Sequence, residues 1–204
     1  MKTVLLTGFE PFHSNAVNPS QLIAERLDGE INGDARVVAL TLPVVFGEDT
    51  SRVFAAIDEL RPSAVISLGL SAGTSSIDVE MFAINHRVTE GTKTLQPIED
   101  DGPTAYFSTL PIDQICAAIE ERAHLPVRRH GYAGSFLCNH ILYQTLRYLD
   151  TQNIDCAAGF IHIPQATEYA VEGQPSLPLE DMIAGIRVAI EAAVIGAQDA
   201  RIKK

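Results

Sequence analysis

Gly134-Ser135-Phe136-Leu137-Cys138-Asn139-His140 carries a strand-like approach into a helix and sets a thiol at the junction. From Cys138 onward, Ile141, Leu142, Thr145 (by its methyl), Leu146 and Leu149 recur at helical spacing, so Cys138 falls in the first turn with its side chain toward the packed face. Beyond that helix, Ala157 to Ile163 is a hydrophobic run of strand length. The same alternation extends through the chain. Strands are expected at Thr3 to Thr7, Arg36 to Leu42, Ala64 to Leu68, Ile77 to Asn85 and Ala157 to Ile163. Helices are expected at Ser20 to Leu27, Glu48 to Leu60, Ile112 to Arg122, Cys138 to Asp150 and Leu179 to Ala197. Short β-branched runs between amphipathic helices predict an α/β domain with a mostly parallel sheet. Two stretches break the period: His86 to Thr104, and Pro164 to Leu179. A loop as long as the first inside a compact domain is usually functional or mobile.

The chain has 204 residues, 46% hydrophobic and 20% charged, enough for one full core and short for two. A single domain over residues 1–204 is expected. Uncharged apolar stretches fall well short of the roughly 18 to 20 residues a membrane span needs, and the N-terminus enters a strand pattern without a signal-peptide core. A soluble, cytoplasmic protein with no membrane partner is expected. Cys116, Cys138 and Cys156 are an odd number, with no CxxC and no histidine at metal-ligand spacing, so neither a disulfide framework nor a zinc site is expected. A net charge of −11 argues against a nucleic-acid partner, which demands clustered Lys and Arg. Arg128-Arg129-His130 is too small a cluster to reverse that and reads as a solvated turn.

Unpaired N–H groups and the positive end of the dipole at a helix start favour thiolate over thiol. A lone cysteine in an apolar setting also reads as a buried small hydrophobe. A reactive thiolate needs a base, and imidazole can move its proton near neutrality. His13, His86, His124 and His130 fall in loops or polar turns and read as solvated. His140, two residues after Cys138 on one helix, points away from it. His162 stands at the carboxyl end of the strand Phe160-Ile161-His162-Ile163, the edge where ligands gather in open α/β sheets. A buried histidine bonded to a backbone carbonyl is the competing reading.

The carboxylate that would orient an imidazole is best sought at Glu80, a charge set among Ile77, Val79, Met81 and Ala83, with Asp78 on the same face. A water-exposed glutamate at a sheet edge is the alternative. In Gly8-Phe9-Glu10-Pro11-Phe12, two phenylalanines three apart in a Gly/Pro turn could wall a small slot or fill the core. Gly69-Leu70-Ser71-Ala72-Gly73 follows a strand but is neither a Walker loop nor a dinucleotide fingerprint, so no nucleotide cofactor is expected. Cys116 and Cys156 read as packing residues.

Taken in order, Thr7 to Phe12 with Asn18-Pro19-Ser20, Val65 to Gly69, Glu80 with Ala83-Ile84-Asn85, Glu99 to Pro103 with Tyr106 to Pro111, Ala133 to Asn139, and Phe160 to Pro164 resemble the pyroglutamyl peptidase I (pyrrolidone carboxyl peptidase) family of cysteine peptidases. The resemblance spans nearly the whole chain. It implies a mixed, mostly parallel twisted sheet flanked by helices on both faces. It also implies hydrolysis of N-terminal pyroglutamyl residues from peptides without metal or organic cofactor, and assembly as a homotetramer. Carried over by motif, Cys138 is the nucleophile, His162 the general base and acid, and Glu80 the orienting carboxylate. Phe9 and Phe12 would flank the lactam ring, with Asn18 shaping the pocket.

The chain departs from the common bacterial pattern of that family. Met81 stands where an arginine often follows the glutamate, and Gly73-Thr74 replaces a Gly-Arg. The Asp-Ala-Arg element often found shortly after the asparagine matching Asn85 is missing, and His86-Arg87-Val88-Thr89-Glu90 takes its place in a shortened loop. Arg87 is the candidate substitute. The alternatives to an active peptidase are a related cysteine amidase of altered acyl specificity, and a binding protein that keeps the pocket but has lost turnover.

Overall fold

A computed structural model describes residues 1–12, 16–88 and 94–202. His13 and Thr89-Glu90 of the sequence reading lie outside that range. In chain order the strands are β1 (Lys2–Phe9), β2 (Ile31–Asn32), β3 (Ala35–Leu42), β4 (Ala64–Leu70), β5 (Ile77–Ile84), β6 (Arg87–Val88), β7 (Leu95–Gln96), β8 (Ala105–Phe107), β9 (Val127–Tyr132), β10 (Ala157–Ile163), β11 (Gln165–Ala166) and β12 (Ser176–Leu177). The helices are α1 (Pro19–Leu27), α2 (Glu48–Leu60), α3 (Ile112–Ala118), α4 (Leu137–Thr151) and α5 (Leu179–Ile202).

The central sheet runs β2-β3-β1-β4-β10-β5-β8, with β9 also paired to β5. β3, β1, β4 and β10 are mutually parallel, and β9 is parallel to β5. β5 turns antiparallel to β10, and β8 is antiparallel to β5. The sheet is therefore mixed, and β5 is an interior strand rather than an edge.

Alternation along the strands sorts the core into two layers. Val4 and Leu6, Ile66 and Leu68, Ile77 and Val79, and Ile161 and Ile163 pack with Ile23 of α1, Ile115 of α3 and Ile186 of α5. Leu5, Val65, Ala158 and Phe160 pack on the other face with Ile57 of α2 and Leu137, Ile141 and Leu142 of α4. Helices thus cover both faces. By the same alternation Asp78, Glu80 and His162 share the face covered by α2 and α4. Among the described residues no helix is long and apolar enough to cross a membrane.

Start signals explain two helix positions. α1 begins with Pro19 in its first turn behind an Asn18 cap whose Oδ1 accepts from the Ser20 N–H at 3.1 Å. α4 begins after Gly134, which takes the left-handed φ of 76° that the turn into the helix requires.

The sequence reading erred in three places. Arg128-Arg129-His130 is not a turn but the middle of β9, held in parallel register to β5 from Ile77↔Val127 to Phe82↔Tyr132. The helix expected over Ile112 to Arg122 ends at Ala118 and continues as a π-helical turn, Ile119–Ala123, closed by His124 at φ 57°. The stretches expected to be irregular hold short pairings, β6 with β7 and β11 with β12.

Candidate active site

Cys138 is the second residue of α4, whose N-terminus has no side-chain cap, so no side chain competes for its first-turn N–H groups. The thiol is partly exposed and borders a cleft also lined by Phe9, Phe12, Asn18, Val44, Leu70, Phe136 and Leu137. His162 comes from the carboxyl end of β10, and the Cys138 sulfur lies near enough to act on its imidazole. Its other side is taken by Glu80, whose Oε1 lies 2.6 Å from His162 Nδ1. With Nδ1–H given to the carboxylate, Nε2 is the nitrogen left to meet the thiol.

Glu80 is fully buried, against the reading of a water-exposed edge residue. Its partners are two imidazoles, because His130 on β9, directly opposite in register, brings its Nδ1 to 3.0 Å from Oε1 and 2.9 Å from Oε2. Asp78, on the same face of β5, is committed elsewhere. It accepts from Arg128 Nε at 2.8 Å and Nη2 at 2.6 Å, and from Ser76 Oγ at 2.9 Å. Burial alone would raise the Asp78 carboxyl, and the Arg128 guanidinium with the Ser76 hydroxyl holds it below the usual carboxylate range.

Opposing effects act on His162 as well. Burial pushes its imidazole down. The charge and hydrogen bond of the Cys138 sulfur, with those of the Glu80 carboxylate, outweigh burial and raise it to about 10. The arrangement favours the imidazolium form of His162.

The first loop is fixed to α1. Phe9 N–H donates to Ser20 Oγ at 3.0 Å, and Asn18 Nδ2 donates to the Glu10 carbonyl at 3.2 Å. Asn18 Oδ1 meanwhile accepts from both the N–H and the hydroxyl of Ser20. Asn18 thus shapes the cleft by tying its wall down. Phe9 is almost fully buried in the core while also lining the cleft, whereas Phe12 is half-buried, so the two readings of this pair, slot and core, divide between its members.

Two further histidines, His140 and His86, have polar partners. His140 is buried with Nδ1 3.5 Å from Asp49 Oδ2, away from Cys138 as expected from its spacing. His86, expected to be solvated, places Nε2 2.9 Å from Ser135 Oγ, and the Val88 N–H donates to the Ser135 carbonyl at 2.7 Å. Arg87 lies with its guanidinium carbon 5.4 Å from the centre of the Phe46 ring, and Phe46 meets Phe136 edge-on at 5.2 Å. Arg87 is thus one ring removed from the cleft. Cys116 and Cys156 are buried, in keeping with their reading as packing residues. Among the described residues no group of three His, Cys, Asp or Glu side chains could hold a metal ion.

The fold brings together the cysteine, the histidine and the glutamate that the sequence singles out. His130, read from the sequence as solvated, joins them at Glu80. The signal lay in Val127-Arg128-Arg129-His130-Gly131-Tyr132, whose alternate members face the alternate acids Asp78 and Glu80 of β5.

Comparison with known proteins agrees over nearly the full length. The family described as Pyroglutamyl peptidase matches residues 2–195. A pyrrolidone-carboxylate peptidase of Cupriavidus necator is 41% identical over 98% of this chain and 97% of its own. That of Pyrococcus furiosus is 39% identical over 94% and 97%. Among solved structures, the pyrrolidone carboxyl peptidase of Thermococcus litoralis superposes with a TM-score of 0.93 at 32% identity, covering 98% of this chain and 96% of that one. The pyroglutamyl peptidase I of Bacillus amyloliquefaciens gives 0.91 at 31%, covering 96% and 98%. The chain belongs to the pyroglutamyl peptidase family.

Proposed function

We propose that this protein is a cysteine peptidase that removes N-terminal pyroglutamyl residues from peptides, with Cys138 as nucleophile, His162 as general base and acid, and Glu80 as the carboxylate that orients His162. The observation that carries the reading is the line of Glu80, His162 and Cys138 ending at an apolar cleft. Attack of the Cys138 thiolate on the pyroglutamyl carbonyl carbon gives a tetrahedral oxyanion. First-turn N–H groups of α4 are suited to hold it, a type of contact worth about 3 to 4 kcal/mol. On collapse the C–N bond breaks, the imidazolium of His162 gives its proton to the leaving amine, and a thioester remains. Water then gives a proton back to His162 as it attacks the thioester, releasing pyroglutamate and the thiolate.

The cleft accounts for the choice of acyl group. A pyroglutamyl lactam has no charged amine, whereas an ordinary N-terminus would have to lose the water around its ammonium against Phe9, Phe12, Val44 and Leu70. Asn18 acts through the position of the Glu10 carbonyl and the loop it anchors.

On the family resemblance, residues 1–204 serve as one catalytic domain that needs no cofactor, assembles as a homotetramer and works in the cytoplasm on peptides, with neither nucleic acid nor membrane as partner. Cys116, Cys138 and Cys156, none of them in a disulfide, suit a reducing compartment. Light scattering on the purified chain reads the assembly directly.

Release of the fluorophore from a pyroglutamyl amide by the reduced protein, lost in Cys138→Ala, is the expected result. Undiminished turnover in that variant would overturn the nucleophile. Folded, reduced protein that turns over another acyl amide, or binds pyroglutamyl peptide without forming an acyl-enzyme, would move the reading to an amidase or a binding protein.

A further inference from the structure

Glu80 presents a charge and several lone pairs in a place without water. His162 accounts for one direction only, a single contact from Nδ1 to Oε1. The terminal torsion of a glutamate is broad, so one hydrogen bond leaves the carboxylate free to swing about its axis. Among the described residues the other hydrogen bonds to this carboxylate come from His130, whose Nδ1 lies 3.0 Å from Oε1 and 2.9 Å from Oε2. Arg128, the neighbouring base on β9, is spent on a two-pronged pair with Asp78.

The register makes this contact structural rather than accidental. β9 is parallel to β5 with Arg128 opposite Asp78 and His130 opposite Glu80, so the two acids meet two bases in sequence along the same pair of strands. The His130 side chain is 46% exposed and that of His162 only 12%, while the Glu80 carboxylate they share is wholly buried.

We propose that His130 is a positioning residue of this active site: its Nδ1–H clamps the buried Glu80 carboxylate from the side opposite His162 and keeps Oε1 aimed at the working imidazole. The inference rests on the peptidase reading for its kinetics but not for its geometry. Two measurements on the full chain separate them: kcat and KM on a pyroglutamyl fluorogenic amide, and the iodoacetamide alkylation rate of Cys138 followed by peptide mass.

His130→Ala is expected to lower kcat about tenfold with KM changed by less than about twofold, because the loss falls on the transition state. His130→Gln keeps an N–H donor for the same carboxylate and is expected to recover kcat to within about threefold of wild type. Alkylation of Cys138 should slow in His130→Ala and recover in His130→Gln. If His130→Ala does not fold, His130→Leu, which has bulk but no donor, takes its place against His130→Gln. Wild-type kcat in a folded variant without the donor overturns the proposal, as does a His130→Gln no better than that variant. If the wild type hydrolyses no pyroglutamyl amide while the alkylation pattern holds, the peptidase reading falls and the positioning role stands.

Discussion

Gly69 leaves the Sγ of Cys138 the room that a side chain would fill. A Cβ built on Gly69, near the carboxyl end of β4, would stand 3.0 Å from that sulfur and 2.6 Å from Cζ of Phe160. Phe160 is fully buried between β10 and α4 and has little freedom to withdraw. The glycine after Val65-Ile66-Ser67-Leu68 is therefore explained by the Cys138 thiol and the Phe160 ring beside it.

Gly69→Ala should accordingly destabilise the fold by about 1 to 3 kcal/mol, the usual cost of overpacking a tight core, and should displace the thiol from His162. Urea unfolding with a parallel assay of pyroglutamyl amide hydrolysis checks both. Full activity at unchanged stability would mean that Phe160 and Cys138 yield more easily than their burial implies.

The imidazole of His162 supplies a pH signature. Its ordinary value is about 6.5. In the fold, burial is outweighed by the Cys138 sulfur and the Glu80 carboxylate, which carry it to about 10. A base raised on folding contributes its full stabilisation below its unfolded value and loses it as pH rises through the folded one. Stability is therefore expected to decline from about pH 6.5 toward pH 10. Glu80→Gln removes the carboxylate's share of that effect, so the His162 midpoint should fall. NMR titration of the His162 ring in both proteins gives the answer, and an unmoved midpoint in Glu80→Gln would show that the carboxylate does not hold the charge.

The parts of this fold that the sequence announces are those where period and chemistry agree. Ile141, Leu142, Leu146 and Leu149 mark α4 by spacing alone, and Asn18-Pro19-Ser20 marks the start of α1 by its cap. Glu80 and His162 stand out because each is polar within an apolar strand. β9 is hidden for the opposite reason. Its residues are mostly polar and exposed, and what makes them a strand is the β5 ladder and the acids across it, partners 50 residues away in sequence. His130 could be recognised only once that register was known. The π-helical turn after α3 is likewise invisible in the pattern Ile115, Cys116, Ile119, which reads as ordinary helix. Arg87, the candidate for the missing family arginine, sits in a segment whose path the period does not define.

The two phenylalanines of the first loop should separate by experiment. Phe9 is a core residue at the floor of the cleft, and its truncation to alanine is expected to cost about 3 to 5 kcal/mol of stability. Phe12 is half-buried in the cleft wall. Phe12→Ala is expected to leave the fold intact and raise KM several-fold with less effect on kcat, the pattern of lost binding shared by ground and transition states. Thermal unfolding and steady-state kinetics on the two variants decide it. A stable Phe9→Ala with raised KM would reverse the assignment.

Asn139 follows Cys138 and is fully buried. Its Oδ1 accepts from the Ile84 N–H at 3.0 Å, while Nδ2 donates to the carbonyls of Ile84 at 2.8 Å and His86 at 2.9 Å. One amide thus holds the first turn of α4 to the end of β5, the strand that carries Glu80. Alanine at this position takes away the partner of one N–H and of two carbonyls, at about 1 to 3 kcal/mol for each group left unsatisfied. Because the lost contacts lie between the elements carrying Cys138 and Glu80, kcat should fall along with stability. Asn139→Asp tests the amide itself: a carboxylate can still accept from Ile84 N–H but cannot donate to the two carbonyls. It should therefore be impaired nearly as much as alanine in both unfolding and turnover. An aspartate variant with wild-type kcat would show that the acceptor half of the contact alone keeps the two elements in register.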